Sequence, residues 1–231
     1  MNLETKGNHE ARWERIFTAR RYETHYPFEI VIRFVLRHYP RDRERRSVKI
    51  LEIGCGLGNN LRFIAGEGFD TYGVDVSPTA VERARVLLAA DGQGANISVA
   101  CAGNLPFADE SFDMVVDRGA LTCIPDPVYD ASLLEARRVL KVGGHFLFTP
   151  FAESHSSNGI DNPVMDGLTD QIQAGSLFGN DRAIRFLGFN EIRSQFRSGW
   201  AWRALQLIET TEFLEPARTV NARWHAILEK V

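Results

Sequence analysis

The stretch that most constrains the fold is Lys49-Ile50-Leu51-Glu52-Ile53-Gly54-Cys55-Gly56-Leu57-Gly58-Asn59-Asn60. Its first part is an apolar run, Ile50, Leu51 and Ile53, and reads as a buried parallel strand. Glycines follow at three alternate positions, and Leu61, Phe63, Ile64 and Ala65 then recur at helical spacing. Strand, glycine turn and helix in that order bring a backbone close to a polar ligand. Glycine admits positive φ and has no side chain in the way, and the new helix presents unpaired N–H groups at its start.

Several ligand chemistries share such a turn. A dinucleotide fingerprint wants G-x-G-x-x-G. Gly54 and Gly56 fit it, but Asn59 holds the place of the third glycine. The spacing here is Gly54-x-Gly56-x-Gly58, with Glu52 two residues upstream. The next strand, Thr71 to Asp75, ends on an acid, where ribose hydroxyls need an acceptor. That acid suits a nicotinamide dinucleotide and S-adenosylmethionine equally.

The rest of the first half separates them. Gly73-Val74-Asp75-Val76-Ser77, Leu105-Pro106-Phe107, Ser111-Phe112-Asp113 and Arg138-Val139-Leu140-Lys141-Val142-Gly143-Gly144 follow the glycine turn in one order. From about Val48 to Thr149 the chain resembles the class I S-adenosylmethionine-dependent methyltransferases, in their small-molecule group. The resemblance implies an α/β fold, a three-layer Rossmann-like sandwich with a seven-stranded, mostly parallel sheet whose last strand is antiparallel. It implies an enzyme that moves a methyl group from S-adenosylmethionine to an O or N atom of a small molecule, leaving S-adenosylhomocysteine.

It also implies site residues. Glu52 would place the methionine end, the turn through Gly54, Cys55 and Gly56 with Asn60 beyond it would approach the cofactor, and Asp75 would hold the ribose hydroxyls. Val76 and Leu105 would flank the adenine, with Gly103 and Asn104 at its edge. Asp117 and Arg118, charged residues ending the apolar run of the fourth strand, stand where the family places cofactor and substrate together. One departure is Cys101, where relatives commonly carry an acid for the adenine amino group. The Tyr26-Pro27-Phe28 segment and the run from Asp117 to Cys123 also resemble bacterial methyltransferases of sugar and polysaccharide biosynthesis, which implies a sugar or polysaccharide precursor as acceptor. Two alternatives are a non-catalytic binding or scaffold protein with the same fold, for which only Cys101 speaks, and an NAD-dependent oxidoreductase, against which the missing third glycine speaks.

The 231 residues suit one methyltransferase domain. It divides into an N-terminal helical cap (1–46), a cofactor half (47–150), a lid or substrate insertion (151–188) and a closing helix and strand pair (189–231). A net charge of −3 gives no support for nucleic-acid binding. The polar N-terminus and the charges that cut the apolar run Phe28–Leu36 point away from a signal peptide and a membrane span. Cys55, Cys101 and Cys123 form no metal-ligand pattern, and Asp161, Asp166 and Asp170 do not match a calcium loop, so no metal is expected. A reducing, cytoplasmic setting and a monomer or homodimer are the expectations.

Outside the cofactor half, Ile30, Val31, Phe34 and Val35 predict an amphipathic helix, and the arginines of 41–46 a solvated loop. Ser77-Pro78 starts a helix to about Ala90, and Pro127 to Lys141 is another with Leu133, Leu134, Val139 and Leu140 inward. A strand is expected over 145–149, a helix capped by Asn190, a strand at the start of 201–213 and a last strand over 222–228. The aromatic segment Trp13 to Phe28 offers Tyr22, His25 and Tyr26 as substrate contacts, since aromatic rings with polar tips suit an enclosing cap. His155, just past the fifth strand, is a candidate general base and substrate contact, because neutral imidazole accepts a proton near pH 7.

Overall fold

A computed structural model describes residues 3–20, 24–159, 164–172, 175, 177, 182–214 and 218–231, with side chains described from residue 9 onward. The organising strand is β1 (Lys49–Ile53). It pairs in parallel with β2 (Asp70–Asp75) on one side and β4 (Phe112–Asp117) on the other. The register sets Ile53 opposite Val74 and Asp117, so three strands end together at one edge. With β3 (Asn96–Val99), β5 (Leu140–Phe148), β10 (Trp200–Glu212) and β11 (Thr219–Lys230), the main order is β3-β2-β1-β4-β5-β11, and β10 pairs with the far side of β11. The chain reverses direction across the sheet between β1 and β4, the switch point where open α/β sheets bind ligands.

Both faces are covered, which explains the near-continuous apolar strands. Ile50, Met114, Val116 and Leu147 face α2 (Glu29–His38) and α3 (Asn59–Gly66). Leu51, Ile53, Val115, Phe146 and Phe148 face α5 (Val128–Val139) and α6 (Phe189–Gln195). α4 (Pro78–Ala90) lies beside α3, capped by Ser77, whose hydroxyl accepts from the Ala80 N–H. α1 (Leu3–Thr18) lies against α4.

Among the described residues the sheet has nine strands rather than seven. The additions are β6 (Phe151–Ala152), which continues the line of β5 along β11, and β9 (Phe186–Leu187), which pairs with β6. The segment 151–188 also contains a hairpin, β7 (Val164–Met165) and β8 (Leu168–Thr169). Apolar pairs of two residues are too short to show a period, so these strands left no pattern in the sequence.

Several local expectations change. β5 begins at Leu140, because the Gly143-Gly144 pair lies inside the strand and does not precede it. Leu134 is 71% exposed, while Tyr129, Ser132 and Ala136 form the inner face of α5. α6 is capped by Gly188, whose N–H donates to the Glu191 carboxylate, and Asn190 lies within the helix. The arginine-rich loop is anchored: Arg43 pairs with Asp113 at 2.6 Å, and Arg45 with Glu67. β10 is strand throughout and leaves Leu207 and Ile208 exposed on its outer part. Trp224 is buried and donates its indole N–H to the Leu187 carbonyl, and Trp200 and Trp202 pack half-buried against the same core. Among the described residues no helix is long and apolar enough to cross a membrane, and no group of three metal-ligating side chains is assembled.

Candidate functional site

The glycine turn leaves β1 at the switch point. Gly54 has φ +67°, and a Cβ there would lie 2.1 Å from the Cβ of Ala120 in the loop after β4. Gly58, at φ +77°, is the N-cap of α3. These two positions let the chain pass from strand to helix within a few residues while the two loops touch. The Cys55 N–H donates to the Val74 carbonyl, which ties the turn to β2. Asn59 and Asn60 open α3, and both line the cleft that results.

Asp75 ends β2 and is buried. One carboxylate oxygen accepts from the Gly56 N–H and the other from the Ser77 N–H, both at 2.9 Å. Burial pushes its pKa up to about 6 against the pull of these amide hydrogen bonds. Each oxygen keeps a further lone pair for a ligand.

Glu52 is 2% exposed. Its Oε1 accepts from the Asn60 Nδ2 at 2.6 Å, and the Asn60 Oδ1 accepts from the Phe28 N–H at 2.9 Å. Burial is the main force raising its pKa to about 8; the Asn60 hydrogen bond opposes it, and the charges of Asp117 and Asp75 add to it. Its other oxygen, Oε2, is buried without a hydrogen-bond partner among the described residues. An orphaned carboxylate oxygen in the floor of a cleft suits a cationic ligand head.

The roof is α1. Glu14 accepts from the hydroxyls of Ser77 and Thr79, which fixes α1 on the first turn of α4. Phe17 packs with Leu57 and Ala80, and its ring lies 3.3 Å from the point a Gly56 Cβ would occupy. Trp13 and Phe17 both face the cleft. His9 also lines it, its pKa lowered to about 4 by burial and by Arg12, so the imidazole is neutral at pH 7.

The far wall is cationic. Arg118, with its guanidinium 4.0 Å from the Phe28 ring centre, Arg182 and Arg223 all line the cleft. Counted out to its open mouth, solvent included, the cleft spans about 1000 Å³.

Of the sequence candidates, this cleft gathers Glu52, Gly54, Cys55, Gly56 and Asn60, together with Asp75, Val76 and Arg118. Asp117 lies behind it, fully buried, its Oδ1 accepting from the N–H groups of Ala120 and Leu121. Gly103, Asn104 and Leu105 do not line it. The Leu105 N–H donates to Glu135, the Asn104 N–H to the Cys101 carbonyl, and Gly103 packs against Val128. Ala100 and Ala102, on either side of Cys101, line the cleft.

His25 is exposed, Tyr26 is 81% exposed, and neither reaches the cleft; Tyr22 lies outside the described residues. His155 is buried between Phe151 and Phe186, its Nδ1 accepting from the Ser157 N–H, with its pKa lowered to about 4 by burial and by Arg223. It stands outside the lining as well. Sequence reading missed His9, Arg182 and Arg223, which arrive from distant segments and carry no local motif.

Residues 50–144 match the family model described as a methyltransferase domain. Over 127 residues the chain is 35% identical to 2-methyl-6-phytyl-1,4-hydroquinone methyltransferase of Synechocystis sp., covering 53% of this chain and 39% of that one. Over 147 residues it is 30% identical to sarcosine/dimethylglycine N-methyltransferase of Halorhodospira halochloris, covering 62% and 52%. The chain thus spans about half, or less, of the length of these curated relatives. A crystal structure of an S-adenosylmethionine-dependent methyltransferase from Methanosarcina mazei superposes with a TM-score of 0.69 at 20% identity, covering 89% of this chain and 99% of that one, a likeness of fold.

Proposed function

We infer the activity from one premise: the chain belongs to the class I S-adenosylmethionine-dependent methyltransferases. The function we propose is transfer of a methyl group to an O or N atom of a small molecule, with S-adenosylmethionine bound along the glycine turn. When bound, S-adenosylmethionine supplies a methyl group already activated on a sulfonium.

The single observation that carries this reading is the orphaned Glu52 oxygen in the floor of the cleft, a short way from Asp75 across the glycine turn. A buried carboxylate raised to a pKa of about 8 is poised for a cationic partner, which the ammonium of a bound methionine end provides. Asp75, with free lone pairs and both oxygens fixed by backbone N–H groups, is suited to ribose hydroxyls. Val76, Ala100 and Ala102 offer an apolar edge for an adenine. In this reading the adenine needs no acid at Cys101.

What the protein adds is position and dryness. α1 and Phe17 close the cleft from above, and an acceptor held between this roof and the arginine wall is kept in line with the methyl group. Orientation of that kind can lower a barrier by roughly 7–11 kcal/mol at best. His9, held at a pKa of about 4, is a weak base, and in this reading Glu52 and Asp75 are occupied by the cofactor, so none of these three is assigned as general base. A sugar or polysaccharide precursor remains a proposed acceptor on the strength of the sequence resemblance.

Calorimetric titration with S-adenosylmethionine and, separately, S-adenosylhomocysteine tests the reading. Micromolar binding of both is expected. Absence of both, with the chain folded, would remove the methyltransferase function and leave a scaffold of the same fold.

A further inference from the structure

The long edge of the sheet is left open. β10 has 13 residues and, among the described residues, pairs only with β11, so no described strand covers its outer row of N–H and C=O groups. The other terminal strands are short, β3 with four residues and β9 with two. Shortness, proline, lysine and bulges are the usual devices that keep an edge from pairing. β10 contains neither proline nor lysine, and its one register shift, between Trp202 and Ala204, lies near its base. From there 204–212 runs as regular strand. We propose that this edge is a homodimer interface, in which 204–212 of two copies pair antiparallel about a two-fold axis at Ile208.

A strand paired antiparallel with its own copy is isologous, so one surface serves both partners. The regular run overlaps itself completely only when centred on its middle residue, Ile208. That register sets Ile208 opposite the second copy's Ile208, Leu207 opposite Glu209, Gln206 opposite Thr210, Leu205 opposite Thr211 and Ala204 opposite Glu212. Opposed residues share a parity, so every side chain stays on its own face of the sheet. The exposed stretch of β10, 206–210, is centred on the same residue. Leu207 and Ile208 are 42% and 41% exposed and, as neighbours in a strand, stand on opposite faces. Pairing at this register covers an apolar residue on each face, the change that favours association.

Charge favours the same occupant. Arg203, exposed and paired with Glu229 at 2.6 Å, stands beside Ala204 and so meets the second copy's Glu212. Symmetry makes that contact twice. No two like charges stand opposite each other, since Glu209 faces Leu207 and Glu212 faces Ala204. Past the end of the strand, Phe213 and Leu214 are 71% and 87% exposed. Continued at the same register they reach the level of the second copy's Trp202, itself half-buried. The apolar tip of each ribbon thus meets the aromatic base of the other.

Sedimentation equilibrium of the full chain is the test. A dimer with a micromolar dissociation constant is expected. Ile208→Lys sets two ammonium groups face to face on the axis and should weaken association tenfold or more, with the far-UV circular dichroism of the parent. Leu207→Glu meets the second copy's Glu209 and should weaken association as much. Leu207→Lys meets that carboxylate with the opposite charge and should cost at least threefold less. The two Leu207 variants decide the matter if Ile208→Lys fails to fold. A chain that stays monomeric at every concentration leaves the edge to a different partner and overturns the proposal. A dimer that none of these variants disturbs, or equal weakening by Leu207→Glu and Leu207→Lys, overturns it too.

Discussion

The amide of Asn60 joins two parts of the molecule that meet nowhere else in sequence: its Nδ2 donates to Glu52 at 2.6 Å while its Oδ1 receives the Phe28 N–H. The floor of the cleft and the entry to α2 are thus held by one side chain. Asn60→Ala would leave Glu52 without its donor and the Phe28 N–H without its acceptor. A loss of about 1–3 kcal/mol in stability is expected, read from the denaturant midpoint at constant m. Asn60→Asp should be worse than Asn60→Ala for S-adenosylhomocysteine affinity, because it sets a second carboxylate beside Glu52.

Glu52 also gives the protein a pH signature. Its folded pKa of about 8 lies above the ordinary 4.5, so the folded state holds a proton that the unfolded state releases between those values. The resulting stability is fully present below pH 4.5 and is lost as pH rises through about 8, by at most about 1.4 kcal/mol per pH unit for one proton. Asp75, raised to about 6 from 3.8, adds to the same trend at the acidic end. Unfolding at a series of pH values should show Glu52→Gln flattening the slope between pH 5 and 8. Ligand binding should run the other way. Uptake of an ammonium drives the proton off Glu52, so S-adenosylhomocysteine affinity rises with pH up to about 8, and its calorimetric enthalpy depends on the buffer. Buffer-independent enthalpy would mean Glu52 is not the partner.

Asp75→Ala removes the acceptor of two buried N–H groups, those of Gly56 and Ser77. The glycine turn loses one of its ties to β2 and keeps the one from the Cys55 N–H to the Val74 carbonyl; S-adenosylhomocysteine binding is expected to weaken at least tenfold, with about 1–3 kcal/mol lost in stability. Asp75→Asn keeps one acceptor and should fall between. Full affinity in Asp75→Ala would take this residue out of the site.

How much of this was visible beforehand follows from how local each signal is. The turn from Gly54 to Gly58 and the acid at Asp75 were legible because glycine spacing and strand ends are written in consecutive residues. Asn60 was reachable only by motif position, and its bridge to Phe28 depends on a contact 32 residues away in sequence. Arg223 was illegible: in an alternating strand it looks like any outward residue, and only the pairing of β11 with β5 and β6 carries it to the cleft. The reading of His155 rested on chain position alone. Its position after β5 suggested the active edge, but the chain runs on along β11 through β6, and the ring is buried between two phenylalanines. β3 stops at Val99, so Ala100 and Ala102 line the cleft while Leu105 lies in the core.

Gly54→Ala adds a methyl group at φ +67°, 2.1 Å from the Ala120 Cβ. Two penalties act together, backbone strain of about 1–3 kcal/mol and the clash with the neighbouring loop. Ala120→Gly should relieve the second and leave the first. The double variant is therefore expected to recover part of the stability and affinity lost in Gly54→Ala, with a coupling of roughly 0.5–3 kcal/mol in a double-mutant cycle. Additive effects would show that the two loops do not press on each other.

Glu14 gives the roof a test separate from the floor. Its carboxylate receives the hydroxyls of Ser77 and Thr79, so α1 is clamped at the first turn of α4, directly over the glycine turn. The sheet and its two helical layers are complete without that clamp, since the clusters around β1 and β5 contain no residue of α1. Glu14→Ala should accordingly leave the main unfolding transition nearly in place and loosen α1 alone. Limited proteolysis is expected to cut faster after Arg15 and Arg20, both of which lie in or just beyond α1. S-adenosylhomocysteine, which the roof encloses in the proposed complex, should dissociate several-fold faster and in turn slow the cleavage when present in excess, because a ligand that needs the closed roof stabilises it by mass action. Glu14→Gln keeps an acceptor for one hydroxyl and should sit between the two. Cleavage at the parental rate in Glu14→Ala, with unchanged ligand dissociation, would show that Phe17 and Trp13 hold the roof unaided.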